Sequence, residues 1–458
     1  MTSKVRSAAL AVLIITGVAV TGSAAAADMA RETIPINDGW AATSTAALPN
    51  GTIGGSLAAA DRVFTVTNRN ELVAALTASS NAPRIIQIAG TIDANVDDNG
   101  TALRCEDYYR ADPVPPPGTT AEMYSLDAYL AAYDPATWGR VPVTGPQERA
   151  RVASVAAQSA RIRMRIPTNT TIVGLSADAR IIGAWIDIRP GSGNNNAVAN
   201  VIIRNVTLED VADCFPAWDP TDGSAGNWNS LYDAISVRNA THVWIDHNTF
   251  RDRTTRDERL PTYFGRLYQV HDGHVDVTNA SDYVTVSWNR ILDHDKVMLI
   301  GSSDSATTSD RNRLRVTLHH NFIAGVGQRV PRVRFGQVHV YNNFYKVQHL
   351  PNYGYSWGVG RESQIYAENN FFITDKSIAM ADVIERLSGT KTTAVGTRRA
   401  GEKAGAFVDV VAAWNAANDP DLLPDAGWAP VLYGPAGTAQ PTNDVPKAVE
   451  EGAGPKNW

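Results

Sequence analysis

The feature of this sequence that most constrains its fold is a short template that recurs from residue 200 onward. Alternating apolar residues are followed by an asparagine and one more apolar residue, in the pattern V-x-I-x-x-N-x-F. The copies span residues 243–250, 284–291, 316–323, 338–345 and 365–372, and residues 201–208 fit with Val206 in place of the asparagine. The asparagines follow one another at steps of 41, 32, 22 and 27 residues, and a period of about 22 with insertions is typical of a parallel β-solenoid.

The physical basis of this prediction is that one coil cannot bury its own apolar face. Coils stacked about 4.8 Å apart pair each strand with the next and enclose the inward Val and Ile side chains. Asparagines stacked at the bend can hydrogen-bond to their equivalents above and below, as in other amide ladders. An antiparallel sandwich also has many short strands, but it gives no reason for an asparagine at one fixed place in each of them. The sequence therefore predicts an all-β solenoid.

The region before the repeats contains strand and helix signals. Residues 63–66 predict a strand, and Asn68 followed by Glu71 is typical of a capping box that opens a helix over residues 71–77. Residues 84–92 predict a second strand, which ends at its glycine. The helix is expected to cap the N-terminal end of the solenoid.

Residues 104–165 differ in composition and pattern from the rest of the chain. A Pro-rich turn is followed by an Ala- and Arg-rich run over residues 147–163, which predicts a helical insertion packed on the main body. The two cysteines of the chain, Cys105 and Cys214, form one disulfide in an oxidising compartment, or else remain as two buried thiols.

The first residues have the pattern of a secretory signal. Lys4 and Arg6 precede an apolar run over residues 8–20, and a small-residue tract ends at Ala27. We therefore expect a signal peptide over residues 1–27, followed by one soluble, exported and monomeric domain over residues 28–458 with no membrane span. The chain has 47 acidic residues against 41 Lys and Arg, which argues against nucleic acid as a partner. An anionic substrate would require a local concentration of positive charge.

Five charged residues fall at nearly the same position of the predicted coil. Lys296 and Arg329 lie seven and eight residues after their template asparagines. On a coil of about 22 residues, Asp233, Asp272 and Asp276 fall within two residues of that position. Carboxylates on one strip repel one another unless a cation lies among them, and oxygen ligands suit a hard cation such as calcium. The alternative is that these are separate solvated charges, the usual fate of a single aspartate.

The segment QRVPRVRFG, residues 328–336, adds Arg332 and Arg334 to Arg329. Alternation about Pro331 is expected to divide these side chains between the two faces. Charges and proline together are typical of a protected edge strand. The alternative is a guanidinium cluster that binds carboxylates in bidentate fashion, which would suit an acidic polymer.

Three longer motifs of the sequence resemble those of a known family. VWIDHNTF, HDGHVDVTNASDYVTVSWNRILDHDKVMLIGSSDS and QRVPRVRFGQVHVYNNFY closely resemble motifs of secreted bacterial pectate lyases, which belong to the polysaccharide lyase family that also includes pectin lyases. The resemblance is strong over residues 228–360 and weaker over the N-terminal strand, helix and insertion. It implies a right-handed parallel β-helix that cleaves polygalacturonate (pectate) by calcium-dependent β-elimination.

The resemblance also implies roles for single residues. Three residues match the family's calcium ligands: Asp233, Asp272 and Asp276. Lys296 and Arg334 match the residues that bind substrate carboxylates. Arg329 matches the catalytic residue, which removes the C-5 proton next to the uronate carboxylate. An arginine is an unusual base because a guanidinium normally stays protonated, so the alternative is that Arg329 stabilises charge while another group takes the proton.

Other residues of these motifs are expected to be structural. Asp246 and His247 match the family's Trp-Ile-Asp-His signature and are interpreted as a hydrogen-bond network. His294, His319 and His320 are interpreted as packing or polar-ladder residues.

Two other functions remain open from the sequence. A hydrolase on the same fold would use paired carboxylates, such as Asp293 and Asp295, with water. A wall-binding solenoid would hold an acidic polymer without turnover. Within the family, a pectin lyase that acts on methyl-esterified chains would not need the three aspartates, so their presence favours a de-esterified substrate.

Overall fold

The structure is a computed structural model that describes residues 29–457, apart from 79–80, 192, 194–195, 348–352, 401–404 and 431–438. The chain winds through three parallel sheets, and successive coils stack along one axis. The fold is a right-handed parallel β-helix, so the predicted fold class is confirmed. The predicted signal peptide, residues 1–27, lies outside the described residues.

The three sheets run the length of the solenoid. In the described chain the first sheet contains Val63–Val66, Arg84–Ile88, Thr170–Gly174, Val198–Arg204, Ala240–Asp246, Asp282–Ser287, Val316–His319, Gln337–Tyr341, Gln364–Glu368 and Thr393–Val395. The second contains Arg163–Arg165, Trp185–Ile188, Ile235–Arg238, Val275–Thr278, Leu299–Ile300, Arg332–Val333, Trp357–Val359 and Ile384–Arg386. The third contains Thr91–Asp93, Arg180–Ile182, Thr207–Glu209, Thr249–Arg251, Arg290–Lys296, Phe322–Gln328, Phe344–Val347, Phe371–Thr374, Arg398–Ala400 and the antiparallel Ala406–Phe407. Two hairpins lie outside these sheets: Ala217–Asp219 with Asn227–Asn229, and Thr262–Tyr263 with Arg266–Leu267.

Stacked template residues form the core. Val243 pairs with Val201 of the preceding coil and Val284 of the next, and all three side chains are buried. Equivalent positions therefore bury like side chains against one another, which is why the template must recur for the solenoid to close its interior.

The template asparagines form the predicted ladder at the bend between the first and third sheets. Their Nδ2–Oδ1 distances are 3.1, 3.0, 2.9 and 3.2 Å along the series Asn248, Asn289, Asn321, Asn343 and Asn370. The residue before each of them has a left-handed φ between 50° and 53°. Val206 contributes only its backbone N–H, which donates to Asn248 Oδ1 at 3.2 Å, so the amide column begins one coil later.

Helices and short 3₁₀ segments decorate the solenoid. The α-helices that lie wholly within the described residues are α1 (Arg69–Thr77), α2 (Leu126–Ala132), α3 (Pro135–Trp138), α4 (Pro146–Ile162), α5 (Val410–Ala417) and α6 (Val445–Gly452). The 3₁₀ segments are Trp40–Ala42, Ala60–Arg62, Cys105–Tyr108, Asp257–Arg259, Met380–Val383 and Thr442–Asp444. In the described part of the chain, none of these helices combines the length and the apolar character needed to cross a membrane.

The N-terminal signals are close to their predicted form. Helix α1 begins two residues earlier than predicted, and Asn68 caps it by accepting the Glu71 N–H at 3.0 Å. The predicted strand over residues 84–92 breaks at Gly90, which has a φ of 77°, and its two halves join different sheets. Glycine adopts this left-handed conformation at the corner without the steric cost that a side chain would add.

The helical insertion enters between a strand of the third sheet and one of the second. Cys105 and Cys214 form a disulfide that ties the insertion to the coils, so the alternative of two free thiols is wrong. Buried rings of both parts form one cluster, in which Tyr129 of α2 lies 6.0 Å from Trp228 between ring centroids. The insertion is therefore packed on the solenoid rather than suspended from it.

Candidate active site

Three aspartates lie together on the outer face of the second sheet. Asp276 is part of the strand Val275–Thr278 and stacks over Ser236 of the preceding coil. Asp233 and Asp272 lie in the turns that lead into these two strands. Parallel stacking thus brings residues some 40 positions apart in sequence to neighbouring levels of one surface.

Each of these carboxylates has fixed protein partners. Asp233 accepts hydrogen bonds from the Ser236 hydroxyl and, at 3.0 Å, from the Gly273 N–H, and its Oδ2 lies 3.5 Å from Arg238 Nη2. Asp276 Oδ1 accepts the Leu299 N–H at 2.9 Å. The carboxylates are therefore held by the backbone of adjacent coils.

Gly273 leaves room for oxygen atoms at the centre of the group. A Cβ at this position would lie 2.6 Å from Asp276 Oδ1 and 3.0 Å from Asp233 Oδ1, so no side chain fits there. Burial raises the pKa of Asp233 well above its usual range, and the charges of Asp276 and Asp272 raise it further. Burial and then Asp272 likewise raise the pKa of Asp276. The crowded carboxylates form an oxygen-lined cradle that favours a cation.

The third carboxylate makes a different contact. Asp272 is about a third exposed, and its Oδ1 lies 3.7 Å from the largely buried Lys296 Nζ. Lys296 ends a strand of the third sheet, so this ammonium reaches the carboxylates from the neighbouring corner. Protein cations therefore lie beside two of the three aspartates: Lys296 beside Asp272, and Arg238 beside Asp233.

Three arginines continue the same surface toward the next coils. Val330 and Val333 are buried, whereas Arg329, Arg332 and Arg334 are all partly exposed, so the expected division of the arginines between two faces is wrong. Arg329 adopts a left-handed φ of 63° at the corner, which interrupts the alternation before the strand begins. Burial lowers the pKa of Arg332, as do the charges of Arg334 and Arg329. The segment is a guanidinium cluster rather than an edge strand, because it pairs with coils on both sides.

Glycines of the adjacent coils make space for these side chains. A Cβ at Gly360 would lie 3.1 Å from Arg334 Cγ, and one at Gly358 would lie 3.1 Å from Arg332 Cγ. Arg334 donates from Nε to Asp304 Oδ1 at 2.6 Å, which aims its guanidinium along the corner of the sheet. The site thus consists of acidic residues flanked by a row of cations on one open face.

Comparisons with known proteins agree with this arrangement. A family model described as pectate lyase matches residues 140–423. The pectate lyase of Bacillus subtilis is 46% identical over 430 residues, which are 93% of this chain and 94% of that protein. The chain belongs to the pectate lyase family.

Solved structures of pectate lyases share the whole fold. A thermostable pectate lyase has a TM-score of 0.85 and 44% identity, and the match covers 94% of this chain and 99% of that one. A pectate lyase bound to a hexasaccharide has a TM-score of 0.82 and 43% identity, over 94% and 100% of the two chains. This pectate lyase is accordingly a polysaccharide lyase, and not a wall-binding protein without turnover.

His294 is a residue of this pectate lyase whose importance the sequence did not reveal. Its Nε2 donates to the carbonyl oxygens of Asp272, at 2.8 Å, and Lys296, at 3.0 Å, while its Nδ1 donates to Asp252 at 2.5 Å. Burial disfavours the charged ring, but the charge and hydrogen bond of Asp252 outweigh it and raise the pKa of His294 to about 9. The imidazolium therefore fixes the backbone of two site residues.

Asp252, His274 and His294 place potential metal-ligating atoms within 4.8 Å of one another behind the site. Because both nitrogens of His294 face oxygen acceptors, this ring is a proton donor in the structure and not a ligand. His274 stacks on His294 with ring centroids 3.8 Å apart. We interpret this group as internal support for the pectate lyase site.

The remaining sequence candidates lie in other surroundings. Asp293 pairs with Arg256, and Asp295 accepts amide hydrogen bonds from Gln269 and Gln328, so neither carboxylate of the hydrolase alternative is positioned as a free acid or base. Asp246 is buried on the first sheet, where it pairs with Arg204 at 3.0 Å and His247 at 2.7 Å. These contacts support the interpretation of Asp246 and His247 as a structural network.

The other two histidines lie on the outer side of the first sheet. His319 stacks on Tyr341 with ring centroids 4.9 Å apart, and His320 stacks on Trp288 at 4.2 Å. His319 Nε2 also lies 3.3 Å from Asp38 Oδ1 of the N-terminal segment. Both therefore act in packing, away from the aspartates.

Proposed function

We propose that this pectate lyase is exported and that it cleaves α-1,4-linked polygalacturonate by calcium-dependent β-elimination, which leaves 4,5-unsaturated ends. The observation that carries the proposal is the juxtaposition of three carboxylates with Lys296 and the arginine cluster on one open face. A de-esterified, anionic polymer is the substrate that such a row of cations suits.

The donor set of the site fits a calcium ion. Asp233, Asp272 and Asp276 would hold it, because hard cations prefer carboxylate oxygens and tolerate several waters as further ligands. The raised pKa values of Asp233 and Asp276 reflect crowding that a bound cation would relieve. When bound, calcium would draw electron density from the substrate carboxylate and so acidify the neighbouring C-5 proton.

The side chains of the chain supply the rest of the chemistry. Lys296 and Arg334 bind the uronate carboxylate and stabilise the negative charge that develops there as the proton leaves. Arg329 takes the C-5 proton. The electron pair of the C–H bond then forms the C-4 to C-5 double bond, the bond from C-4 to the glycosidic oxygen breaks, and that oxygen receives a proton from water.

Export is proposed from the amino-terminal sequence. Residues 1–27 have the charged, apolar and small-residue tracts of a signal peptide. The disulfide between Cys105 and Cys214 suits an oxidising compartment. An extracellular enzyme would meet its polymer substrate directly.

The proposal is tested by the products formed from polygalacturonate. β-Elimination generates a conjugated double bond, so ultraviolet absorbance should rise in step with the number of new reducing ends. New reducing ends without this absorbance would instead indicate hydrolysis. Parallel reactions with polygalacturonate and with methyl-esterified pectin show which polymer the enzyme prefers.

Replacement of Lys296 or Arg334 by alanine should affect the two polymers differently. Both residues are proposed to bind a carboxylate, which methyl esterification removes. Loss of a charge-assisted contact costs about 1.5 kcal/mol or more, so kcat/KM on polygalacturonate should fall at least about tenfold. The fall in kcat/KM on heavily esterified pectin should be smaller.

Lys447→Ala is the matched control, since Lys447 is an exposed lysine on helix α6, away from the second sheet. This substitution should leave kcat/KM unchanged on both polymers. Equal losses of activity on both polymers in the Lys296 and Arg334 variants would contradict the role in carboxylate binding.

A further inference from the structure

A second concave surface lies beside the candidate active site. It is a cavity of about 570 Å³ at the corner where the second sheet leads into the first. Four successive coils each contribute one segment to its wall: residues 311–315, 335–337, 361–364 and 388–391. We call it the corner pocket.

Positive charge dominates the wall of the corner pocket. Its lining cations in the described chain are Arg311, Arg313, Arg315, Arg361 and Lys391, whereas Glu362 is the carboxylate among its lining residues. Net positive charge concentrated in a concavity is unexpected on an acidic chain, and it attracts anions more strongly than the same charges on a convex surface.

Ion pairs within the protein account for only part of this charge. Arg311 makes two hydrogen bonds to Glu362, at 2.8 and 2.7 Å. Arg315 is paired with Asp282 below the pocket, with Nε 2.9 Å from Oδ1. Both pairs are therefore nearly neutral units.

The remaining cations have weaker internal compensation. Arg361 Nη1 donates to the Asp304 carbonyl at 3.0 Å, and its Nε lies 3.7 Å from the shared Glu362. Arg313 is exposed and Lys391 half-buried, and neither makes a carboxylate pair within the described residues. At least two charges of the wall are thus available to an external anion.

The corner pocket is physically continuous with the active site through Asp304. Its carboxylate accepts from Arg334 Nε at 2.6 Å on the active-site side and from the Ser388 hydroxyl at 3.1 Å on the pocket side. Phe335, which follows Arg334 directly, lines the pocket floor. A polymer held at Arg334 can therefore extend into the pocket without leaving the protein surface.

We propose that the corner pocket is an auxiliary binding site for carboxylates of an acidic polysaccharide, occupied by a part of the polymer remote from the cleaved bond. This inference rests on the proposed function for the identity of the polymer. Arg313 and Lys391 bind the uronate carboxylates, and the polar side chains of Gln337 and Thr390 face the sugar hydroxyls. Two linked sites bind a long chain more tightly than a short one, because the second contact is intramolecular.

The test is affinity electrophoresis of the full chain with the double substitution Arg313→Gln and Lys391→Gln. Native gels contain polygalacturonate and a chelator, so that calcium-dependent cleavage does not consume the polymer. Retardation gives the dissociation constant, which should rise about tenfold, since each exposed charge contact contributes roughly threefold. With calcium, kcat and KM on a trimer should stay unchanged, since a trimer occupies the active site alone.

The matched control is Arg31→Gln with Lys447→Gln, which removes the same charge from exposed residues outside the corner pocket. It should bind the polymer as the unchanged protein does. Equal retardation of the pocket variant and the control would overturn the proposal, as would an equal loss of affinity for dextran sulfate, which would indicate a general effect on polyanions. If the unchanged protein is not retarded by polygalacturonate in chelator, the corner pocket does not bind the polymer and the proposal fails. The proposed function fails instead if calcium and polygalacturonate together give no rise in ultraviolet absorbance.

Discussion

Removal of divalent cations by a chelator should lower the rate of polygalacturonate cleavage at least about a thousandfold, and added calcium should restore it. The reason is the surroundings of Asp233 and Asp276, whose carboxylates face one oxygen-lined space above Gly273. Lys296 and Arg238 each approach one carboxylate from the side, but neither occupies that space. The measurement is the initial rate of ultraviolet absorbance increase across a titration of free calcium.

The substitution Asp276→Asn tests whether the effect of the chelator arises at the three aspartates. The amide keeps the shape of the side chain but loses one charged ligand, so half-maximal activity should require at least about tenfold more calcium. Asp178→Asn removes the same charge from an exposed residue and serves as the control. Full activity of the unchanged protein in excess chelator, or an unaltered calcium titration of Asp276→Asn, would contradict the assignment.

The same substitution, Asp276→Asn, should weaken calcium binding but stabilise the metal-free chain. Because the pKa of Asp276 is raised on folding, its stabilising contribution is present at low pH and is lost as pH rises through the folded-state value. Above that pH the ionised carboxylate destabilises the fold, and the uncharged amide does not. In chelator at pH 8, thermal unfolding of Asp276→Asn should therefore occur at a higher temperature than that of the unchanged protein.

The sequence was sufficient for the features that repeat from coil to coil. Because successive template asparagines hydrogen-bond one another from coil to coil, their spacing alone indicates the stacking. The same regularity placed Asp233, Asp276 and Lys296 on one face, since the offset from the nearest asparagine survives insertions elsewhere in the coil. The helix cap at Asn68 was likewise predicted from the sequence.

The features that the sequence did not predict depend on contacts at the corners. The left-handed φ of Arg329 shifts the alternation of the arginine segment, and a linear pattern contains no signal for this. The role of His294 depends on carbonyl oxygens of Asp272 and Lys296, which any residue could supply. The corner pocket draws on four coils whose loops differ in length and sequence, so no repeat marks it.

Arg329→Lys is expected to lower the rate of elimination at neutral pH at least about a hundredfold, the range of effects typical of a general base. An arginine base acts only in its deprotonated fraction, which grows with pH, so the unchanged protein should have an alkaline optimum. A lysine deprotonates at lower pH but lacks the planar fork that reaches the substrate. Any residual activity of the variant should therefore have its rising limb at lower pH.

Arg332→Lys is the matched control, because Arg332 lies in the same cluster and is assigned no part in proton transfer. Rates are measured against pH at saturating calcium and substrate, so that the pH dependence of calcium binding does not contribute to the profile of either protein. Loss of activity in the Arg332 variant equal to that in the Arg329 variant would show that the cluster depends on its guanidinium groups in general and not on a base at Arg329. If Arg329→Lys keeps most of the activity with an unshifted pH profile, Arg329 binds the polymer and another group takes the C-5 proton.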